Sequence, residues 1–240
     1  MPRFFVPPED IHNNTFTLTG SEARHAAVVL RKKVGDVINL FDGKDLSYRG
    51  RIDVVSPEHV QGTIVAEHKN ASVSNTPLIL CQALIKGPKW DWLVEKASEI
   101  GVGKLVPLVT ARTIVKPSIQ EVHERWKRIA LAASKQCGRS DVMDVTAPKP
   151  FAEALKDISK GDLALIPWEK ENSKTIRQVF LSSPRTSLFI GPEGGWETQE
   201  VELAIRHGAI PVRLGPTLLR SETAGLVAAT LVLSECGVYS

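Results

Sequence analysis

Leu188-Phe189-Ile190-Gly191-Pro192-Glu193-Gly194-Gly195-Trp196 carries an apolar run straight into a glycine-rich loop. About one helix later, Val212-Arg213-Leu214-Gly215-Pro216-Thr217-Leu218-Leu219-Arg220-Ser221-Glu222-Thr223-Ala224 repeats the pattern: a short apolar strand, Gly-Pro, a loop, then a helix start. Glycine lets a backbone approach a ligand or adopt positive φ. Loops beyond the carboxyl ends of parallel strands are where α/β folds bind ligands. In the first motif Thr198 is read as the cap of the following helix, with Glu200 and Glu202 in its first turn, a poor setting for a phosphate. In the second, Ser221 is read as the cap and Glu222 as a first-turn acid. Leu218 and Leu219 suit the wall of a flat apolar ligand, with Arg220 beside them as a fixed planar cation.

Outward from these motifs, apolar runs at 78–84, 105–109, 163–167, 187–190 and 211–214 alternate with helical patterns at 90–100, 119–136, 151–158, 198–207 and 224–235. That alternation predicts an α/β layer on a parallel sheet. Gly101 stops the first of these helices. Residues 1–72 differ. Short strand-like runs at 3–6, 15–18, 37–41, 48–55 and 60–67 are separated by turn signals such as Asp42-Gly43 and Ser56-Pro57, with one helix over 23–30 for which Ser21 is the candidate cap. This predicts a small β-barrel over 1–72 and a second domain over 73–240, joined by a polar linker at 70–76.

Composition sets bounds. Hydrophobic residues are 42% and charged residues 24% of the 240, the balance of a globular protein that buries a core without staples. Cys81, Cys137 and Cys236 are too far apart for a disulfide framework or zinc site, and the six histidines have no ligand spacing, so no metal is expected. No signal peptide and no run of about 18 apolar residues is present, so no membrane partner is expected and the sequons at Asn13 and Asn70 carry no weight. Net charge is +3. Its distribution says more: Arg125, Lys127, Arg128, Lys135 and Arg139 follow one another with no acid between, and Arg31-Lys32-Lys33 forms a second cluster, as a phosphate-following surface would. The dinucleotide fingerprint, the Walker loop, the nucleophile elbow and the zincin motif are all absent. A non-catalytic RNA-binding module would explain the basic face but not two glycine loops. A nucleotide-binding oxidoreductase would explain the sheet but lacks its fingerprint.

The paired C-terminal motifs resemble those of the SPOUT methyltransferases, and more narrowly the bacterial 16S ribosomal RNA uridine-N3 methyltransferases. The opening Pro2-Arg3-Phe4-Phe5, the segment Lys96-Ala97-Ser98-Glu99-Ile100-Gly101-Val102, and Arg125-Trp126 through Ala133-Ser134-Lys135-Gln136-Cys137-Gly138-Arg139 are similar to that family too. The family usually has arginine in place of Thr217 and threonine in place of Ser221. The resemblance implies a PUA-like N-terminal barrel that holds RNA, a C-terminal α/β domain with a trefoil knot, a homodimer, a cytoplasmic setting, and S-adenosylmethionine as methyl donor. It implies a donor pocket made of Ile166, Pro167 and Trp168 (with Glu169), then Ile190, Gly191, Pro192, Glu193, Gly194 and Gly195, then Leu214, Gly215, Leu218 and Leu219. Arg220 and Arg139 are the candidates to stabilise charge on the uracil carbonyls, Gln136 to hydrogen-bond the base edge, and Glu222 to act as base or orient an arginine. Arg3, Arg24, Arg31, Arg125 and Arg128 would follow phosphates. The partner would be 16S ribosomal RNA in the small ribosomal subunit. Ribose 2′-O-methylation of transfer RNA on the same fold is the nearest alternative.

Overall fold

The computed structural model describes residues 2–69, 78–114, 119–180 and 183–239, with side chains from 123 onward in the helix that starts at Ile119. The expected linker at 70–76 lies outside the described residues. Two compact units emerge: Met1–Ser72 with Ser134–Val142, and Val73–Ala133 with Met143–Ser240. A short stretch after Ala133 therefore returns to the first unit, which no compositional boundary announces.

In the first unit β1 (Arg3–Phe5), β2 (Ile11–His12), β3 (Thr15–Thr19), β4 (Val37–Phe41), β5 (Leu46–Val55) and β6 (His59–Lys69) form a sheet in the order β1-β4-β5-β6-β3-β2. All pairs are antiparallel except β1 with β4. The alternating buried positions of β3 and β5 follow from one-sided burial of a pleated strand. They place Phe16, Leu18, Tyr48 and Ile52 in a core with Phe4, Leu40 and Val60. The expected helix is shorter and differently capped. α1 (Gly20–Arg24) gives way to a π-helical turn, His25–Val29, and Ser21 lies inside the helix, where no side chain caps it. Phe16 explains two glycines. A Cβ on Gly50 would sit 2.4 Å from its ring, and one on Gly62 would sit 2.6 Å from the ring and 2.1 Å from the Arg51 carbonyl oxygen. Register shifts at Arg49/Gly50 and Ile52/Val54 bend β5 there.

Arg3 binds the returning stretch. Its guanidinium donates to the Arg139 carbonyl (2.9 Å), Ser47 Oγ (3.0 Å) and Ser140 Oγ (2.8 Å), and lies over the Phe41 ring. Lys135 pairs with Glu22 at 2.7 Å. Arg139 is buried and grips Asp141 through two hydrogen bonds.

In the second unit all strand pairs are parallel. β7 (Leu78–Ala83), β8 (Lys104–Val109), β9 (Asp144–Val145), β10 (Lys149–Pro150), β11 (Leu163–Pro167), β12 (Thr186–Ile190) and β13 (Ile210–Val212) run in the order β10-β8-β7-β12-β11-β13, with β9 also on β8. β12 is buried at every residue, as in a strand covered on both faces. The helices are α2 (Pro88–Ile100), α3 (Ile119–Cys137), α4 (Phe151–Leu155), α5 (Ile176–Val179), α6 (Thr198–Arg206) and α7 (Ser221–Glu235). Gly101 ends α2 at φ 101°, as its left-handed cap requires. Two expected caps fall one residue early. Glu197 precedes α6 and donates its N–H to Glu200, while Glu202 lies beyond the first turn; Arg220 precedes α7, with Ser221 its first residue. α5 and the short strands β2, β9 and β10 were not foreseen, being too brief to show a period.

Gly62→Ala is expected to destabilise the first sheet by about 1–3 kcal/mol, because the new methyl meets a backbone oxygen that cannot rotate away. Hydrogen exchange of the β5 and β6 amides measures this, and unchanged protection would refute the packing account.

Candidate active site

β12, β11 and β13 are consecutive in the sheet, so their carboxyl ends lie side by side. The loops leaving those ends enclose a cavity of about 840 Å³, within the range of roughly 300–1,000 Å³ typical of small-molecule sites. Each loop is fixed by its own contacts.

The loop after β12 turns through a Pro192 carbonyl to Gly195 N–H bond of 2.9 Å, with Gly195 at φ 70°. A Cβ on Gly191 would press 3.1 Å from the Trp196 indole, so any side chain there would push against the ring. From outside, Arg112 donates to the Gly194 carbonyl at 2.6 Å. The loop after β11 is tied to the end of β13: Trp168 N–H donates to the Val212 carbonyl and Arg213 N–H to the Lys174 carbonyl. Within that loop the Ser173 hydroxyl and the Ser173 and Lys174 amides donate to Glu171, pushing its carboxyl down to about 2.

The loop after β13 leads into α7, and here Ser221 acts as a joint rather than a cap. Its hydroxyl accepts from Gln82 Nε2 at 2.8 Å and donates to the Gly191 carbonyl at 2.5 Å. Gln82 is fully buried on β7. Its side chain lies over Gly225 of α7, where a Cβ would come within 2.3 Å of Oε1. A buried relay thus joins β7, the end of β12 and the start of α7.

Glu222 is buried with Oε1 held by Lys89 at 2.9 Å, while Oε2 has no hydrogen-bond partner. Burial opposes its ionisation. The Lys89 hydrogen bond, its own backbone N–H and the charges of Lys89 and Arg220 outweigh that and hold the carboxyl below its ordinary range. Around the cavity the carboxylates of Glu169, Glu171, Glu193 and Glu222 face the cations Lys89, Arg213 and Arg220, four against three. Trp168 and Trp196 add buried indole N–H groups without partners.

Pro167, Trp168, Ile190, Gly191, Pro192, Glu193, Gly194, Gly195, Leu214, Gly215, Leu218 and Leu219 all line this cavity, with Arg220 and Glu222. Ile166 does not; it is fully buried in the hydrophobic core behind the loop. Arg139 and Gln136 do not line it either. Both belong to the stretch that clusters with the first unit, and the Arg139 guanidinium is already bound by Asp141. Among the expected phosphate contacts, Arg3 is half-buried and structural, and Arg125 is paired with Asp91. Arg24, Arg31 and Arg128 are exposed. Lys89 was missed, yet a signal exists: a third Gly-Pro pair, Gly87-Pro88, lies three residues beyond the end of β7 and directly before Lys89.

Residues 72–233 match a family model described as an RNA methyltransferase domain, and residues 18–65 match one described as an RNA methyltransferase PUA domain. A ribosomal RNA small subunit methyltransferase E of Synechocystis sp. is 33% identical over 94% of this chain and 75% of its own length. Its namesake in Bacillus subtilis is 27% identical over 91% and 89%. The crystal structure of a ribosomal RNA small subunit methyltransferase E from Neisseria gonorrhoeae, bound to S-adenosyl methionine, matches at a TM-score of 0.89, with 30% identity and 98% of each chain covered.

Ser221→Ala should cost about 1–3 kcal/mol, since it leaves a buried amide donor and a carbonyl unpaired, whereas Ser221→Thr keeps the hydroxyl and should cost much less. Denaturant unfolding followed by tryptophan fluorescence reads this unit alone, because every tryptophan lies in it. Equal losses in the two variants would show that the relay contributes nothing.

Proposed function

Because the chain belongs to the RNA methyltransferase family, we propose that it transfers the methyl group of S-adenosylmethionine to N3 of a uridine in the 16S ribosomal RNA of the small ribosomal subunit. The observation that carries this is the cavity between the three strand-end loops, which lies wholly within the matched RNA methyltransferase region.

The cavity suits this donor. Its excess of carboxylates complements a sulfonium, its loop backbones offer hydrogen bonds to an adenine edge, and Leu218 and Leu219 offer apolar faces to the ring. Leu218 is 86% exposed, an unfavourable place for a leucine that has no ligand to cover it. When bound, the donor supplies an already activated methyl group, so the protein's task is chiefly to position and to manage one proton. N3 of uracil carries that proton, and its loss puts negative charge on the flanking carbonyls. Arg220 lines the cavity and can stabilise that charge. N3 is occupied in a base pair, so the base must enter unpaired or flipped out. Arg24, Arg31 and Arg128 remain exposed for the phosphates around it. The reading includes a homodimer, a trefoil knot and a cytoplasmic setting. Among the described residues no helix is long and apolar enough to cross a membrane.

Titration calorimetry should show saturable S-adenosylmethionine binding, weakened about tenfold in Leu218→Ser, a loss near 1.4 kcal/mol for part of one leucine's burial. Undermodified small ribosomal subunits incubated with protein and donor should gain 3-methyluridine, identified by nucleoside mass spectrometry. Folded protein that binds no donor, with or without subunits, would favour a non-catalytic RNA-binding module instead.

A further inference from the structure

Two residues of the cavity occupy equivalent places on different helices. Lys89 is the second residue of α2 and Glu222 the second residue of α7. A carboxylate suits a helix N-terminus, but an ammonium there opposes the helix dipole. Lys89 is nonetheless held in that place with its Nζ 2.9 Å from Glu222 Oε1, while its side chain stays 43% exposed. One hydrogen bond to Glu222 leaves two of its three donors for a ligand. Glu222 Oε2 is buried and has no partner, an arrangement that carries a cost unless something completes it. Arg220, two residues earlier in the sequence and acting on the Glu222 charge, adds planar donors to the same cavity. The cavity is therefore lined by a donor, a carboxylate and a donor: Lys89, Glu222 and Arg220.

Uracil presents the complement along its pairing edge: a carbonyl, the N3–H, and a second carbonyl. We propose that Lys89, Glu222 and Arg220 read the uracil edge, and that the Glu222 carboxylate is the acceptor of the N3 proton; this rests on the methyl-transfer function proposed above. Glu222 takes the proton as the N3 lone pair bonds to the donor's methyl carbon, and the electron pair of the broken sulfur–carbon bond stays on sulfur. Protonated Glu222 then returns its proton to water. Lys89 and Arg220 meet the charge that develops on the two carbonyls. Cytosine fails on two counts: its amino group would face a cation, and its unprotonated N3 would face a carboxylate. A site built around an N–H donor rejects a base that lacks it.

The test is single-turnover transfer of labelled methyl from S-adenosylmethionine to undermodified small ribosomal subunits, alongside donor affinity by calorimetry for each variant. Glu222→Gln should lose about 10²–10⁴-fold in rate, the usual contribution of a positioned proton acceptor, with donor affinity unchanged. Lys89→Met should lose about 10–100-fold, the worth of a charged hydrogen bond, and Lys89→Arg should recover most of it. If Lys89 served only to neutralise Glu222, the double variant Lys89→Met/Glu222→Gln would return to the wild-type rate. The proposal requires it to stay as slow as Glu222→Gln. Recovery in the double variant, or donor affinity lost in parallel with rate, would overturn the triad while leaving the methyltransferase reading intact. Wild-type protein that binds donor but makes no 3-methyluridine would remove that reading, and the triad with it.

Discussion

The hydroxyl of Ser221 is the point on which the site depends. A single buried oxygen accepts from Gln82 on β7 and donates to the Gly191 carbonyl just beyond β12, and it does so from the first residue of α7. Because the hydrogen bond from Gln82 is buried, no water can replace a missing partner there. The packing of Gln82 over Gly225 braces the same joint from the other side, since a Cβ there would displace the Gln82 amide. The loops after β12 and β13 are therefore placed relative to each other by the interior of the fold. A cavity built on such a joint is organised before any ligand arrives, which matters for a reaction whose barrier is lowered chiefly by orientation.

The two strand-end motifs were legible because glycine and proline at the end of an apolar run have few other uses in a parallel sheet. They located two of the three adjacent strands and most of the cavity lining, while the loop after β11 came only with the family resemblance. What stayed hidden has a common physical origin: the roles of single polar side chains depend on partners distant in sequence. Ser221 looks like a cap by position, yet its partners are Gln82 and Gly191, one of them 139 residues away. Arg139 reads as one more cation in a basic run, but the nearby Asp141 binds its guanidinium in a buried pair. Arg3 looks like a phosphate contact and instead ties Ser47 and Ser140 together. Ile166 was counted with the loop it precedes, although a strand residue beside a ligand loop alternates faces and can point into the core.

The basic run from Arg125 onward illustrates why charge spacing alone does not define a nucleic-acid surface. Arg125 is paired with Asp91, Lys127 with Glu124, and Lys135 with Glu22. Exposed pairs such as the first two contribute little to stability, being screened and entropically costly. They remain available to exchange a carboxylate for a phosphate. Arg139 and Lys135 are different. They hold the stretch after Ala133 in the first unit, so that a segment lying well along the chain completes a domain begun at the N-terminus.

The distribution of charge inside the cavity follows the same logic at closer quarters. Glu171 is pinned by its own loop and stays ionised down to about pH 2, so it serves as a fixed negative charge and not as a proton acceptor. Glu222 is held below its ordinary range chiefly by Lys89, against the pull of burial, and retains one unpartnered oxygen. A carboxylate in that state is a weak base in the ground state. Cations that meet the negative charge developing on the two uracil carbonyls, however, lower the cost of losing the N3 proton. An acceptor of low pKa then suffices, provided that it is already ionised and already in place. Rigid placement by Lys89 and the helix start, rather than a raised pKa, is what such a reaction asks of the residue.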